Sequence, residues 1–190
     1  MKPQELIAFF GIIEKLKCNT RHSWTSDGRR ESVAEHSWRL AVMALLCEDE
    51  FDGLDMNKVV KMCLIHDLGE AVTGDVPAFD KTSSDEAQEE RAIAWLLSQL
   101  PSPYAEEWTI LFAEMKEKKS EEARLYKALD NLETLIQHNE ADLSTWLKKE
   151  HTLNLTYGDE NCAWHPYLQA LKAQVKQDSI QKINEGKQAL

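Results

Sequence analysis

His36, His66, Asp67 and Glu70 are ionisable residues set among apolar helical neighbours, a combination that suits the binding of a divalent cation. Met56, Val60 and Cys63 recur at helical spacing, and Asp67 and Glu70 continue that stripe. His66 sits beside Val59 and Met62 on the same half, and His36 falls in line with Val33, Leu40, Met43 and Cys47. Carboxylates are rarely buried without a partner, because an unpaired buried charge costs several kcal/mol or more. A metal ion is one such partner. A single histidine on an apolar face is more often a hydrogen-bonded core residue, and a helical carboxylate is usually solvated or paired with Lys or Arg. Spacing alone leaves these two readings evenly balanced.

The elements that must position these residues are helices. Leu6, Phe9, Phe10, Ile13 and Leu16 repeat at helical spacing, and residues 17–31 are polar and irregular. Ser32 with Glu35 makes a capping box for a helix running to about Glu50, and Asp55 caps a third helix after Gly53. Thr73-Gly74-Asp75-Val76-Pro77 reads as a turn. Ser83 with Glu86 opens a helix that Pro101 and Pro103 stop, and further helices fit residues 104–118, 120–142 and 165–185. The expected fold is a single all-α domain.

Composition narrows the function. The chain has 190 residues, 43% hydrophobic and 29% charged, with 22 Lys and Arg against 33 Asp and Glu for a net charge of −11. That balance argues against binding a nucleic-acid polymer, whose phosphates recruit clustered cations, but leaves a single nucleotide open. Seven glycines and five prolines are too few for a many-stranded β fold. The apolar stretch Leu6–Ile13 is too short to span a membrane. Cys18, Cys47, Cys63 and Cys162 lack CxxC spacing and read as reduced thiols of a cytoplasmic protein.

Taken in order and spacing, Glu35-His36, His66-Asp67-Leu68-Gly69-Glu70, Thr73-Gly74-Asp75-Val76-Pro77 and Asp130 resemble the HD-domain metal-dependent phosphohydrolases. The elaborated pattern HDxxExxxGDxP is similar to the branch that contains the 5′-deoxynucleotidases. The likeness runs over roughly residues 5–175. It implies an HD-type helical bundle with its core at about residues 32–140 and the terminal helices packed on it. His36, His66, Asp67 and Asp130 would hold one divalent ion, with Mn, Fe, Co, Ni or Zn better suited than Mg to two imidazoles and two carboxylates. Glu70 would orient or deprotonate the attacking water, or instead fix a ligand histidine in one tautomer. Asp75 and Pro77 would contact substrate, with Asp75 assisting proton transfer. Arg21, fifteen residues before His36, would bind phosphate, with Arg29 and Arg30 as competitors.

The resemblance alone promotes Asp130. Leu125, Leu129, Leu132 and Ile136 form the apolar face of its helix, whereas Asp130 shares a stripe with Ala123, Tyr126, Thr134 and Gln137, which periodicity reads as surface. One departure is His22, where the best-known bacterial members carry tryptophan after the arginine; Trp24 is the nearest one here. His138, His151 and His165 match no position of the pattern and read as ordinary side chains. The implied reaction is release of phosphate from a nucleoside 5′-monophosphate by in-line attack of water, without a covalent intermediate. Alternatives are hydrolysis of a nucleoside triphosphate or alarmone, and a non-catalytic helical adaptor retaining a structural metal. The resemblance also implies a homodimer, for which Phe9 and Phe10 would supply an apolar surface.

Overall fold

A computed structural model describes residues 1–76 and 82–188; Pro77, expected to touch substrate, lies outside them. The first apolar stripe forms α1 (Pro3–Ile13) and a short α2 (Lys15–Cys18), burying Phe9 and Leu16 and leaving Ile7 and Phe10 exposed. The following stretch is not irregular as its polarity suggests. It forms an antiparallel ribbon, β1 (Thr20–Trp24) and β2 (Arg30–Ser32), with Thr20 opposite Ser32 and Trp24 opposite Arg30. Gly28, at φ +86, supplies the positive φ of its turn. Arg30 stacks 4.7 Å from the Trp24 ring centroid, and Gln137 Nε2 donates to the Trp24 carbonyl at 2.6 Å. A ribbon this short persists because helices hold it.

The Ser32 capping box forms as read: Ser32 Oγ accepts from the Glu35 amide at 3.2 Å, and Glu35 Oε2 accepts from the Ser32 amide at 2.8 Å. It starts α3 (Val33–Leu46), which packs along α4 (Met56–Ile65). The third helix does not run on through Asp67 and Glu70. α4 ends at Ile65, residues 66–69 continue with tighter turns such as Leu68 N–H to Ile65 C=O, and α5 (Glu70–Thr73) follows. At the break, a Cβ on Gly69 would lie 3.0 Å from Ile93 Cγ1, so the turn fits closely under α6 (Ser83–Ser98). That helix is capped one residue earlier than read, by Thr82 with Asp85, which offers the same spacing of hydroxyl and carboxylate.

α7 (Tyr104–Glu117) leads into α8 (Glu121–Glu140), which packs against α3, α4, α7, β1 and two later helices, α10 (Asp159–Cys162) and α11 (Pro166–Gln188). Its Leu125, Leu129, Leu132 and Leu135 are wholly buried, yet so is much of the opposite face: Asp130, Asn131, Glu133, Gln137 and His138. The surface position read for Asp130 is therefore overturned; it is 8% exposed. A helix surrounded on all sides can look amphipathic in sequence when one of its buried faces is polar and internally paired. Three further helices, α9 (Glu150–Leu153), α10 (Asp159–Cys162) and α11 (Pro166–Gln188), wrap the end of α8. Gly158 lets the α9–α10 connection close on α8, since a Cβ there would lie 2.8 Å from Asn131 Cβ. Buried apolar side chains from Phe9 to Val175 form one cluster, as expected of a single all-α unit.

Candidate metal centre and active site

Helices α3 and α8 and the turn that follows α4 bring His36, His66, Asp67 and Asp130 to one point. His66 Nε2 lies 3.0 Å from Asp67 Oδ2 and 3.8 Å from Asp130 Oδ1. His36 Nε2 lies 3.1 Å from Asp130 Oδ1 and 3.9 Å from Asp67 Oδ2. Ligand atoms of His36, His66 and Asp67 all fall within 4.8 Å of one another. The two rings reach this point through the same nitrogen, because each Nδ1 is engaged elsewhere. His66 Nδ1 donates to the Cys63 carbonyl at 2.9 Å, and His36 Nδ1 is hydrogen-bonded to Glu133.

Those outer bonds orient each ring so that, in the neutral form a cation would bind, its Nε2 lone pair faces the centre. His66 Nε2 is buried and has no hydrogen-bond partner among the described residues. Two imidazole acceptors and two carboxylates directed at one point, one of them an orphaned nitrogen, are a donor set that a divalent cation fits. Protein groups alone balance the charge only in part. Burial and the Arg21 charge push the His36 pKa down, and Glu133 and Asp130 outweigh them and raise it to about 9. Burial opposes ionisation of Asp67, and His66, His36 and Arg21 hold its carboxyl below the usual range. Asp130 is likewise held well below its ordinary value against burial, chiefly by Lys127 and His36.

The centre opens into a cavity of about 390 Å³ whose lining includes Arg21, Asp67, Glu70, Asp75 and Asp130. Of the three arginines near the ribbon, Arg21 is the one turned inward. Its Nη1 lies 3.4 Å from Asp67 Oδ2, its Nη2 donates to Thr134 Oγ1 at 3.1 Å, and its Nε lies 3.3 Å from Glu31 Oε2. Arg29 instead forks onto Glu35, at 2.7 and 2.9 Å, on the exposed side of the ribbon, and Arg30 covers Trp24. Trp24 is not part of the cavity wall. Burial works against the Arg21 charge, but Asp67, Glu133, Glu31 and Asp75 together raise its pKa.

Glu70 is buried, and burial with the neighbouring Asp67 and Asp75 charges pushes its pKa up to about 10. As a protonated acid it is a proton donor at neutral pH; opposite a cation, its carboxylate form gains ground. Asp75 is raised by burial against the pull of Arg21. Glu70 is not what fixes either ring's tautomer, since His36 Nδ1 engages Glu133 and His66 Nδ1 the Cys63 carbonyl.

Several residues of this site carry no signal in the helical period or in the family pattern. Glu133 is wholly buried between His36 and Arg39, whose Nε lies 3.0 Å from Glu133 Oε1. Its spacing three residues after Asp130, on the same turn, is the clue that was available. Lys127 donates to Asp130 Oδ2 at 2.6 Å. His138, read as an ordinary side chain, lines the cavity with His22 and Glu150. The remaining two histidines behave as read: His151 meets the Trp146 ring and His165 packs on Phe51.

The sequence matches the HD domain family across residues 13–172. A 5′-deoxynucleotidase HDDC2 of Dictyostelium discoideum is 30% identical over 187 residues, covering 90% of this chain and 97% of that protein. The human 5′-deoxynucleotidase HDDC2 is 32% identical over 141 residues, covering 72% of this chain and 68% of that protein. A crystal structure from Magnetospirillum magnetotacticum, described as a predicted metal-dependent phosphohydrolase, superposes with a TM-score of 0.81. It shares 29% identity, and the match covers 94% of this chain and 93% of that one. The chain belongs to the HD-domain family of metal-dependent phosphohydrolases.

Proposed function

We propose that this chain hydrolyses nucleoside 5′-monophosphates to nucleosides and inorganic phosphate. The observation that carries the reading is the convergence of His36, His66, Asp67 and Asp130 beside a cavity into which Arg21 projects. The 5′-deoxynucleotidase relatives, matched along most of the chain, support the substrate class.

His36, His66, Asp67 and Asp130 would hold a divalent ion, which supplies Lewis acidity towards a phosphoryl oxygen and acidifies water. A donor set of two imidazoles and two carboxylates favours Mn²⁺, Fe²⁺, Co²⁺, Ni²⁺ or Zn²⁺ over Mg²⁺. Arg21 binds the phosphate oxygens and stabilises charge that builds on them as water attacks in line. Asp67 orients the guanidinium through its 3.4 Å contact. Glu70, whose carboxylate form gains ground opposite a bound cation, accepts the proton from the attacking water, and Asp75 donates one to the departing sugar oxygen. Burial shifts Asp75 in that direction, raising its pKa against the pull of Arg21. Water is the nucleophile and no phosphorylated side chain forms.

A phosphate-release screen of deoxyribo- and ribonucleoside 5′-monophosphates with Mn²⁺, Co²⁺ and Mg²⁺ in parallel tests the reading. Expected is orthophosphate as the sole phosphorus product, greater with Mn²⁺ or Co²⁺ than with Mg²⁺, and abolished by ethylenediaminetetraacetate. Pyrophosphate or tripolyphosphate from a nucleoside triphosphate or alarmone, with no turnover of monophosphates, sinks it. Metal-free protein whose melting is unchanged by added ion would indicate the helical adaptor instead.

The assembly is a homodimer in this reading; Phe9, expected on its surface, is instead buried in the core, which leaves Ile7 and Phe10 of α1, 71% and 57% exposed, as the apolar contact. Light scattering should then report twice 21.8 kDa; particles of 21.8 kDa alone would exclude it. All four cysteines are free, in keeping with a cytoplasmic setting, and no helix among the described residues is long and apolar enough to cross a membrane.

A further inference from the structure

Beyond the metal centre, the cavity wall carries a second polar cluster from three separate elements: His22 on β1, His138 on α8 and Glu150 at the start of α9. Glu150 is 2% exposed, and both its oxygens are fixed. Oε1 lies 3.0 Å from His22 Nε2, and Oε2 accepts from the Leu147 amide at 2.6 Å. Each carboxylate oxygen has two acceptor sites, so each keeps one beyond these contacts. His138 Nδ1 faces Asn154 Oδ1 at 3.3 Å, which makes Nδ1 the protonated nitrogen, and burial favours the neutral ring. Its Nε2 is then an acceptor as well.

A buried carboxylate on this wall has no use for phosphate, which it repels; the phosphate belongs with Arg21 at the other cluster. We infer that Glu150, held by His22 and seconded by His138, is a specificity-determining residue that accepts a hydrogen bond from a sugar hydroxyl of the leaving group. The inference rests on the phosphomonoester hydrolysis proposed above. It assigns the non-phosphate half of the substrate to hydrogen bonding with acceptors rather than to stacking on tryptophan, since Trp24 lies under Arg30 and outside the cavity wall. A site built to bond a hydroxyl rejects the analogue that lacks it, because its buried acceptors are then desolvated for nothing.

The test compares kcat/KM for one base as the ribo-, 2′-deoxyribo- and 2′,3′-dideoxyribonucleoside 5′-monophosphate, alongside p-nitrophenyl phosphate. In the wild-type protein the dideoxy compound should be poorer than the better of the other two by about tenfold or more. A step between ribo and deoxy marks the 2′-hydroxyl; a step between deoxy and dideoxy marks the 3′-hydroxyl. Glu150→Gln, which keeps the shape, should collapse that ratio towards one, whereas a merely structural role would lower every member alike and leave the ratio standing. Equal kcat/KM across the wild-type series overturns the inference while the phosphomonoesterase reading survives. No hydrolysis of any member, aryl phosphate included, overturns both.

Discussion

Asp67→Ala protein is expected to lose phosphate release by at least about 10³-fold while remaining folded. A metal ion at a phosphoryl centre supplies several kcal/mol of charge stabilisation, and each 1.36 kcal/mol is a factor of ten in rate. Asp67 serves twice, since its Oδ2 lies 3.0 Å from His66 Nε2 and 3.4 Å from Arg21 Nη1. Its loss therefore removes one cation ligand and frees the phosphate-binding guanidinium together. The helices should survive, because Asp67 lies in the turn after α4 and the apolar cluster is built by other residues. Two readouts separate loss of chemistry from loss of fold. Helical circular dichroism should match the wild type, and the rise in melting temperature on adding Mn²⁺ should disappear. Turnover within tenfold of wild type would remove Asp67 from the centre.

Glu133→Gln should weaken metal affinity or activity by about 10–100-fold, the usual cost of disturbing the partner of a ligand histidine. Glu133 is wholly buried and is not among the residues that line the cavity beside the centre; it acts through His36, whose Nδ1 it engages, and through Arg39. The amide keeps the volume but loses the charge that makes His36 a stronger donor. Arg39 retains Glu140 at 2.6 Å and Gln137 at 3.0 Å, so its own charge stays partnered. Glu133→Ala is the harsher change, because removing one partner of a buried charge pair costs about 3–5 kcal/mol. Calorimetric titration of Mn²⁺ into the Gln variant reads the affinity directly. An unchanged dissociation constant with unchanged kcat would reduce Glu133 to a packing residue.

Much of the helical framework was legible from local rules. The Ser32 box, the breaks around Gly53 and Pro101, and the apolar period of α8 each depend on residues within a turn or two. The Thr20–Ser32 ribbon was not legible, because its strands are short and polar and are stabilised by bonds to α8 and by the Trp24–Arg30 stack. Nor was the break after Ile65, which depends on how closely Gly69 meets α6. His66 and Asp67 stood out because they interrupt an apolar run. Asp130 did not, since a polar stripe on a buried helix and a polar stripe on an exposed one look identical until the neighbouring helices are in place.

The sequence by itself determined which side chains were available and, through the ordered His, His-Asp and Asp pattern, the family and its kind of chemistry. Tertiary structure alone decided how they meet: that both imidazoles present Nε2, that Arg21 rather than Arg29 or Arg30 turns inward, and that Glu133, His138 and Glu150 join the site. The physical reason is distance along the chain. Helical period and capping act over three or four residues, as do the Cys63–His66 and Lys127–Asp130 bonds, whereas the contacts that join His36 to Asp130, Arg21 to Asp67 and His22 to Glu150 span roughly 50 to 130 positions, and only tertiary packing brings those partners within reach.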